Sequence, residues 1–388
     1  MKKIITTLLS LCLTGIAFSQ EKTEEVKPKL TFSGYLDTYY FANLNNPASR
    51  SNLGITKADG DIIPSNARAF EQRSGQFSLG LIQTKITHTT KTTEAVADLA
   101  FGPNADLGNY GNILGPLGLT TSLAIKQLYI AYKPTDKWTF TMGQFGTHIG
   151  YEVIDAPVNY HYSLSNLFNN GPFYHIGVKA NYAISDKASL MAGIVNNIDN
   201  LNDNNKAKGF ISQIFVSPVS GWNAYINYIY SNETSATGKT PEGNYYSLLD
   251  LTTTYQITPK FMVGVNAATG TQAAKIGTTT VKGNWGGIAV YSNYALSDAF
   301  SLGARYENFD NKDGARGLLD AQGNGTSVNS FTITGNITLG EGHLLLKPEL
   351  RIDTYPKIAG TLQKFEDADG KFTKNAQTTL GMAAIYKF

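Results

Sequence analysis

The chain has 388 residues, of which only 16% are charged, and its formal net charge of +2 gives no reason to expect nucleic acid or another polyanion as a partner. With 22 Tyr, 19 Phe and 38 Gly the composition favours β-structure. After residue 19 no apolar run reaches the ~20 residues of a membrane-spanning helix, which excludes a helical membrane protein.

The N-terminus carries the pattern of a secretory signal peptide at residues 1–19. Lys2 and Lys3 precede an apolar run, and small residues stand at the expected cleavage site. The only cysteine, Cys12, lies inside this segment, so the exported chain has no disulfide. Residues 20–29 are charged and aperiodic, and we expect them to form a flexible N-terminal tail.

Residues 30–388 are a succession of segments in which apolar and polar residues alternate. This period of two predicts β-strands with one apolar and one polar face. The segments are longer than the ~5–6 residues of ordinary strands and match the ~9–11 tilted residues that cross a bilayer. The predicted strands are 30–40, 76–88, 93–102, 122–133, 138–147, 173–184, 188–197, 207–217, 222–231, 244–257, 260–269, 283–296, 299–309, 327–339, 342–353 and 376–388.

Connections of two classes alternate along the chain. The hairpin at 181–195 is typical of the short class, with a Ser-Asp turn between two strands. The long class is polar and includes 43–75, 148–172, 270–282 and 354–375. Short periplasmic turns that alternate with long outer loops are the plan of an outer-membrane barrel. We therefore predict an all-β fold, a transmembrane antiparallel β-barrel of about sixteen strands (range 14–18), with both termini on the periplasmic side.

The last strand is suited to closing the barrel. A sheet can span a bilayer only if it closes, because every backbone polar group needs a partner there. An apolar row ends in a carboxy-terminal aromatic residue, typical of outer-membrane barrels that assembly machinery recognises: Leu380, Met382, Ala384, Tyr386 and Phe388. The expected partners are outer-membrane lipid and the barrel-assembly machinery.

Two short motifs add a family resemblance. Residues 143–152 read GQFGTHIGYE and residues 173–178 read FYHIGV. Together with the strand plan, they resemble the OmpL-like β-barrel porin family of Bacteroidota outer membranes. The resemblance implies an outer-membrane channel, names no substrate and carries over no catalytic residue.

The loop at 148–172 is the candidate pore constriction. It holds Tyr151, Glu152, Asp155 and His161, and we predict that it folds into the lumen. Its two carboxylates would face inward bases and create a transverse field that favours small polar solutes. An outward loop with solvated charges is the alternative. The predicted lumen wall comprises Lys179, Arg305, Glu307, Lys347, Glu349, Arg351 and Asp353.

No other chemistry is indicated by a specific motif. The histidines near this loop are spaced thirteen and fourteen residues apart, which matches no zinc pattern, and the Asp-Gly turns at 367–370 and 310–314 lack the twelfth-position Glu of a calcium loop. Trp222, Trp285 and Tyr291 would form a sugar slide only if all three faced the lumen. We predict neither cofactor nor metal.

The predicted function is passive diffusion of small hydrophilic solutes or ions through a barrel in the outer membrane, and not catalysis. A homotrimer is compatible with a porin of this size. Two alternatives stay open. The first is a plugged barrel that serves as a structural or docking part of a secretion or adhesion assembly, and the second is a barrel-embedded hydrolase with a serine or aspartate beside a histidine at the rim.

Overall fold

The computed structural model describes residues 28–108, 123–199, 201, 203, 205–233, 244–276, 279–360 and 362–388. Its main feature is a closed antiparallel barrel of sixteen strands, in which neighbours along the chain are neighbours in the sheet. The predicted fold class and strand number are confirmed. The predicted signal peptide and nearly all of the N-terminal tail lie outside the described residues.

The sixteen strands of the barrel lie where the alternating pattern predicts them. In chain order they are β1 (Lys29–Asn43), β2 (Ile55–Ala58), β3 (Asp61–Pro64), β4 (Gln76–Thr89), β5 (Thr93–Phe101), β6 (Leu123–Tyr132), β7 (Trp138–Gly146), β8 (Tyr174–Ser185), β9 (Ala188–Val195), β10 (Gly209–Val216), β11 (Trp222–Asn232), β12 (Tyr245–Thr258), β13 (Phe261–Ile276), β14 (Thr279–Ala295), β15 (Phe300–Asn311), β16 (Thr326–Leu339), β17 (Leu344–Thr354) and β18 (Ala376–Lys387).

Strands β1 and β18 close the barrel. Their register runs from Tyr35 opposite Lys387 to Asn43 opposite Thr379. The last residue continues the ladder, since the Phe388 amide donates to the Gly34 carbonyl at 3.0 Å and the Gly34 amide donates back at 3.1 Å. Closure gives each of the sixteen barrel strands two neighbours, which is what a sheet in hydrocarbon requires.

The two faces of each strand differ in exposure as the alternation requires. On β18, Leu380 and Met382 are 50% and 47% exposed, whereas Thr379 and Ala383 on either side of them are fully buried. Tyr386 and Phe388 complete the outward row at 47% and 48% exposure. Exposed apolar side chains of this kind cover the outside of the barrel. Polar and charged side chains occupy many of the inward positions and are buried there.

Three features differ from the sequence-based expectation. The first long loop contains a small hairpin, β2 with β3, that the alternation pattern did not reveal. The polar loop predicted at 270–282 is wrong in part, because β13 and β14 stay paired as far as Ile276 opposite Thr279. Two one-turn helices were also missed, α1 (Pro103–Leu107) and α2 (Asn166–Asn170). Within the described ranges, none of the helices has the length and apolar character of a membrane span.

Candidate functional site: an inward loop on a charged wall

The loop at 148–172 lies inside the barrel. His161, Ser163, Ser165 and Asn166 are each at most 2% exposed. Helix α2 begins in the last third of the loop, where the Ser165 hydroxyl accepts a hydrogen bond from the Phe168 amide at 3.1 Å. A serine in this position satisfies one of the free amides that start a helix.

Two carboxylates of the wall bind the backbone amides of this loop. Glu349 on β17 accepts hydrogen bonds from the amides of Tyr162 and Ser163, at 2.8 Å and 3.2 Å. Glu307 on β15 accepts from the amides of Asn166 and Leu167, both at 2.8 Å. The carboxylates thereby satisfy donors that would otherwise be buried without partners, and Glu307 stands where a helix start favours negative charge.

Two arginines of the wall bind the loop from the same side. Arg305 donates to the Glu152 carboxylate at 2.5 Å and to the Ser163 carbonyl at 2.8 Å. Arg351 donates to the Leu164 carbonyl at 2.7 Å and pairs with Asp353 at 2.8 Å. Acidic and basic side chains of β15 and β17 thus hold the loop through its backbone as well as its side chains.

Asp155 lies elsewhere than the transverse-field hypothesis requires. Its carboxylate is bound by the Lys126 ammonium, which also lies 3.4 Å from Asp98, so Asp155 faces β5 and β6. Among the bases expected to oppose it, Lys347 donates to the Asn159 carbonyl, and the Lys179 ammonium lies 4.3 Å from the Phe145 ring centroid. Glu152 alone of the two acids pairs with an expected base.

The remaining predicted loop residues contact wall side chains from neighbouring strands. Tyr151 stacks on Tyr291 of β14 with ring centroids 4.1 Å apart. His161 Nδ1 lies 2.7 Å from the Thr334 hydroxyl on β16. Burial and the nearby guanidinium of Arg305 hold the pKa of His161 well below its usual value, so this histidine is neutral.

Sequence reasoning missed three groups that hold the same region. Arg68, from the long loop between β3 and β4, is 1% exposed and donates to Asp353 at 2.9 Å and to Thr379 at 2.8 Å. Asp37 of β1 accepts a hydrogen bond from the Tyr162 hydroxyl at 2.5 Å. Lys126 is the third, and like Asp37 it lies on an inward strand position, a signal that the alternation does provide.

Other candidate sites are not assembled. Trp285 and Tyr291 are buried at 4% and 1% exposure, while Trp222 is 40% exposed, so the three aromatics form no continuous slide. The rings of His148 and His175 lie 5.7 Å apart, and in the part of the chain that the structure describes no group of three or more His, Cys, Asp or Glu side chains could hold a metal ion.

The chain matches a known protein family in sequence and known proteins in structure. The model of the family described as "Putative beta-barrel porin-2, OmpL-like" matches residues 29–388. The channel DcaP of Acinetobacter baumannii is similar in structure, with a TM-score of 0.60, 14% identity and coverage of 93% of this chain and 97% of that one. No curated protein sequence matches.

Two further solved structures share this fold. The anion-selective porin of Comamonas acidovorans superposes with a TM-score of 0.56 at 11% identity, covering 93% of this chain and 100% of that one. The trimer form of the outer-membrane protein OmpT of Vibrio cholerae gives 0.55 at 13% identity, covering 93% and 99%. At these identities the similarity concerns the fold.

Proposed function

The chain belongs to the OmpL-like family described as putative beta-barrel porin-2, and from this premise we propose that it lets small hydrophilic solutes and ions diffuse passively across the outer membrane, past a constriction formed by the 148–172 loop. The family is one of outer-membrane porins, so the expected location is confirmed, whereas the Bacteroidota origin stays a prediction. The observation that carries the constriction is the seating of the loop on wall residues Arg305, Glu307, Glu349 and Arg351.

The polar wall of the lumen favours the passage of polar solutes. Strands β15 to β17 present hydroxyl and charged side chains to the interior, and the outward side chains of the same strands are mostly apolar. The inward set is Thr332, Thr334, Arg305, Glu307, Lys347, Glu349, Arg351 and Asp353. An apolar solute would have to displace water from charged and hydroxyl groups without replacing their hydrogen bonds. Small hydrophilic solutes keep those bonds satisfied as they pass.

The alternative of a plugged docking barrel has one specific observation in its favour. The charged wall residues beside the loop are almost completely covered, with Arg305, Glu307 and Arg351 at 0% exposure. A loop that is this tightly bound narrows the lumen strongly. The hydrolase alternative gains no such support, since His161 and His175, which each contact a threonine, are at most 1% exposed and open to no substrate.

Current through planar lipid bilayers separates these functions. The purified full-length barrel should give stepwise channel openings. Neutralising Glu152 and Asp155 together should change the unit conductance, because Arg305 and Lys126 then lose their carboxylate partners and the loop loses two of its attachments. A control pair, Asp136→Asn with Asp186→Asn in the short turns, should leave it unchanged. A folded wild-type barrel that passes no current would contradict the proposal and favour the plugged one.

Assembly is a second part of the proposal. We expect a homotrimer, in agreement with the trimer form of OmpT that shares the fold. Mass measurement of the detergent-solubilised protein, with the bound detergent subtracted, tests this directly. A single mass of one chain would contradict the trimer while leaving the channel function in place.

A further inference from the structure

The charges of the lumen fall into two groups that differ in their access to water. Beside the loop they are covered and bonded, as described for β15 to β17. Towards the short turns, inward-facing charges are partly or fully exposed. In the described part of the chain these include Lys85 on β4, Lys179 on β8 and Lys387 on β18, with Glu94 on β5 as the acidic member.

The register shows that these lysines face inward. Lys85 lies between the exposed outward residues Ile82 and Ile86 and pairs with the inward Asp98 across the ladder. Lys179 follows the outward Val178, and its ammonium contacts the buried Phe145 ring.

Lys387 continues the inward row of β18, which includes Ala383 and Ile385, both fully buried. It lies next to the outward Tyr386, which is 47% exposed.

These lysines are not neutralised by neighbouring acids. Within the described residues none of the three forms a salt bridge. Asp98, the acid closest to Lys85 in the ladder, is bonded instead to Gln83 and Gln127 and lies 3.4 Å from the Lys126 ammonium. Glu94 accepts a hydrogen bond from the Tyr129 hydroxyl at 3.3 Å. Lys387 is exposed, and Lys85 and Lys179 are partly exposed. Among the inward side chains named here, three cations therefore stand against one engaged acid, which leaves an excess of positive charge.

We propose that Lys85, Lys179 and Lys387 form a basic vestibule on the periplasmic side of the loop, which makes the pore selective for small anions over cations. Uncompensated lysines in a channel wall attract anions and repel cations before either reaches the constriction. The buried charges beside the loop contribute less, since each is bonded to protein and faces little water. This inference rests on the proposed channel function and names the solute class for it.

Reversal potentials in a KCl gradient test the proposal. Wild type should be more permeable to chloride than to potassium. The triple variant Lys85→Gln, Lys179→Gln, Lys387→Gln should bring the permeability ratio to unity or reverse it. The matched control neutralises Lys133, Lys137 and Lys187, three exposed lysines in the neighbouring short turns. It should keep most of the wild-type selectivity, because these lysines lie beyond the ends of the strands, where water screens their charge.

Salt dependence adds a readout that a structural effect would not produce. Lowering the salt from about 1 M to about 0.1 M lengthens the screening distance from about 3 Å to about 10 Å, so anion selectivity should rise in wild type and stay flat in the triple variant. A conducting wild-type channel that prefers potassium, or a triple variant with unchanged selectivity, would overturn the vestibule and leave the channel intact. Absence of any current would overturn the channel function itself.

Discussion

The Arg305 guanidinium lies 2.5 Å from a carboxylate oxygen of Glu152, and the two side chains are only 0% and 3% exposed. This pair joins β15 to the start of the inward loop across 153 positions of sequence. Because both charged groups are removed from water, the loss of either partner costs more folding free energy than it would in a surface pair.

Glu152→Gln should lower the free energy of unfolding by about 3–5 kcal/mol, because the buried Arg305 guanidinium then keeps only neutral hydrogen-bond partners. Arg305→Met should be comparably harmful, since it leaves a buried carboxylate. The double variant should be less destabilised than the sum of the single variants, because no unpaired charge remains. Urea unfolding in lipid vesicles, followed by the migration of folded and unfolded protein on gels, gives all three values. Strictly additive losses would contradict the coupling.

Sequence alternation predicts the barrel well because its signal is local. Each strand displays its own two faces, as Thr332 and Phe331 do at 0% and 39% exposure. The contacts between the loops and the barrel wall are not local in sequence, so alternation does not predict them. Arg68 comes from an aperiodic loop, and its partner Asp353 is 285 residues away, so no local pattern connects them. Asp155 pairs with Lys126 and not with the predicted bases for the same reason: the sequence does not show which wall a folded loop faces.

The buried His148 should make stability depend on pH. Its Nε2 lies 3.0 Å from the Tyr228 carbonyl, which can only accept, so Nε2 carries the hydrogen. Burial lowers the pKa of His148 from 6.5 to about 4. The folded state therefore resists protonation, and the stabilisation is complete above pH 6.5 and is lost as the pH falls from 6.5 towards 4.

Replacing this histidine should flatten the acid side of the stability profile. His148→Gln should reduce the slope between pH 6.5 and 4 by up to about 1.4 kcal/mol per pH unit. The exposed His88 provides the control, and His88→Gln should leave the slope as it is in wild type. The measurement is the unfolding free energy of each protein across this pH range. Equal slopes of free energy against pH for wild type and His148→Gln would contradict the prediction.

Lys364 holds three of the long loops together. Its ammonium donates to the Ile55 carbonyl at 3.1 Å, to the Ser65 hydroxyl at 2.6 Å and to the Leu319 carbonyl. Lys364→Met should lose these bonds and lower the protection of the loops against proteolysis by roughly tenfold or more, since a buried bond to a charged donor is worth about 1.5–3 kcal/mol. Lys357→Met, an exposed position in the same loop, is the control. Equal cleavage rates in both variants would show that Lys364 is not needed.

The last prediction concerns where the membrane lies on the barrel. Met142 is 69% exposed on β7, five positions from the turn residue Lys137, and Val281 is 51% exposed near the far end of β14. Strand β14 has 17 residues, more than the ~9–11 that cross a bilayer, so its far end should project beyond the hydrocarbon. An arginine should therefore cost about 2–4 kcal/mol at position 142 and about 0–1 kcal/mol at position 281.

Folding into vesicles measures both costs on the same scale. Met142→Arg should shift the unfolding midpoint strongly and Val281→Arg hardly at all, although both replace an exposed apolar side chain by the same charge. The difference arises because arginine at position 142 must lie in hydrocarbon, whereas at position 281 it reaches water. Equal costs at the two positions would mean that the hydrocarbon belt does not end below the far end of β14, and the assignment of the long β13–β14 hairpin to the aqueous side would then be wrong.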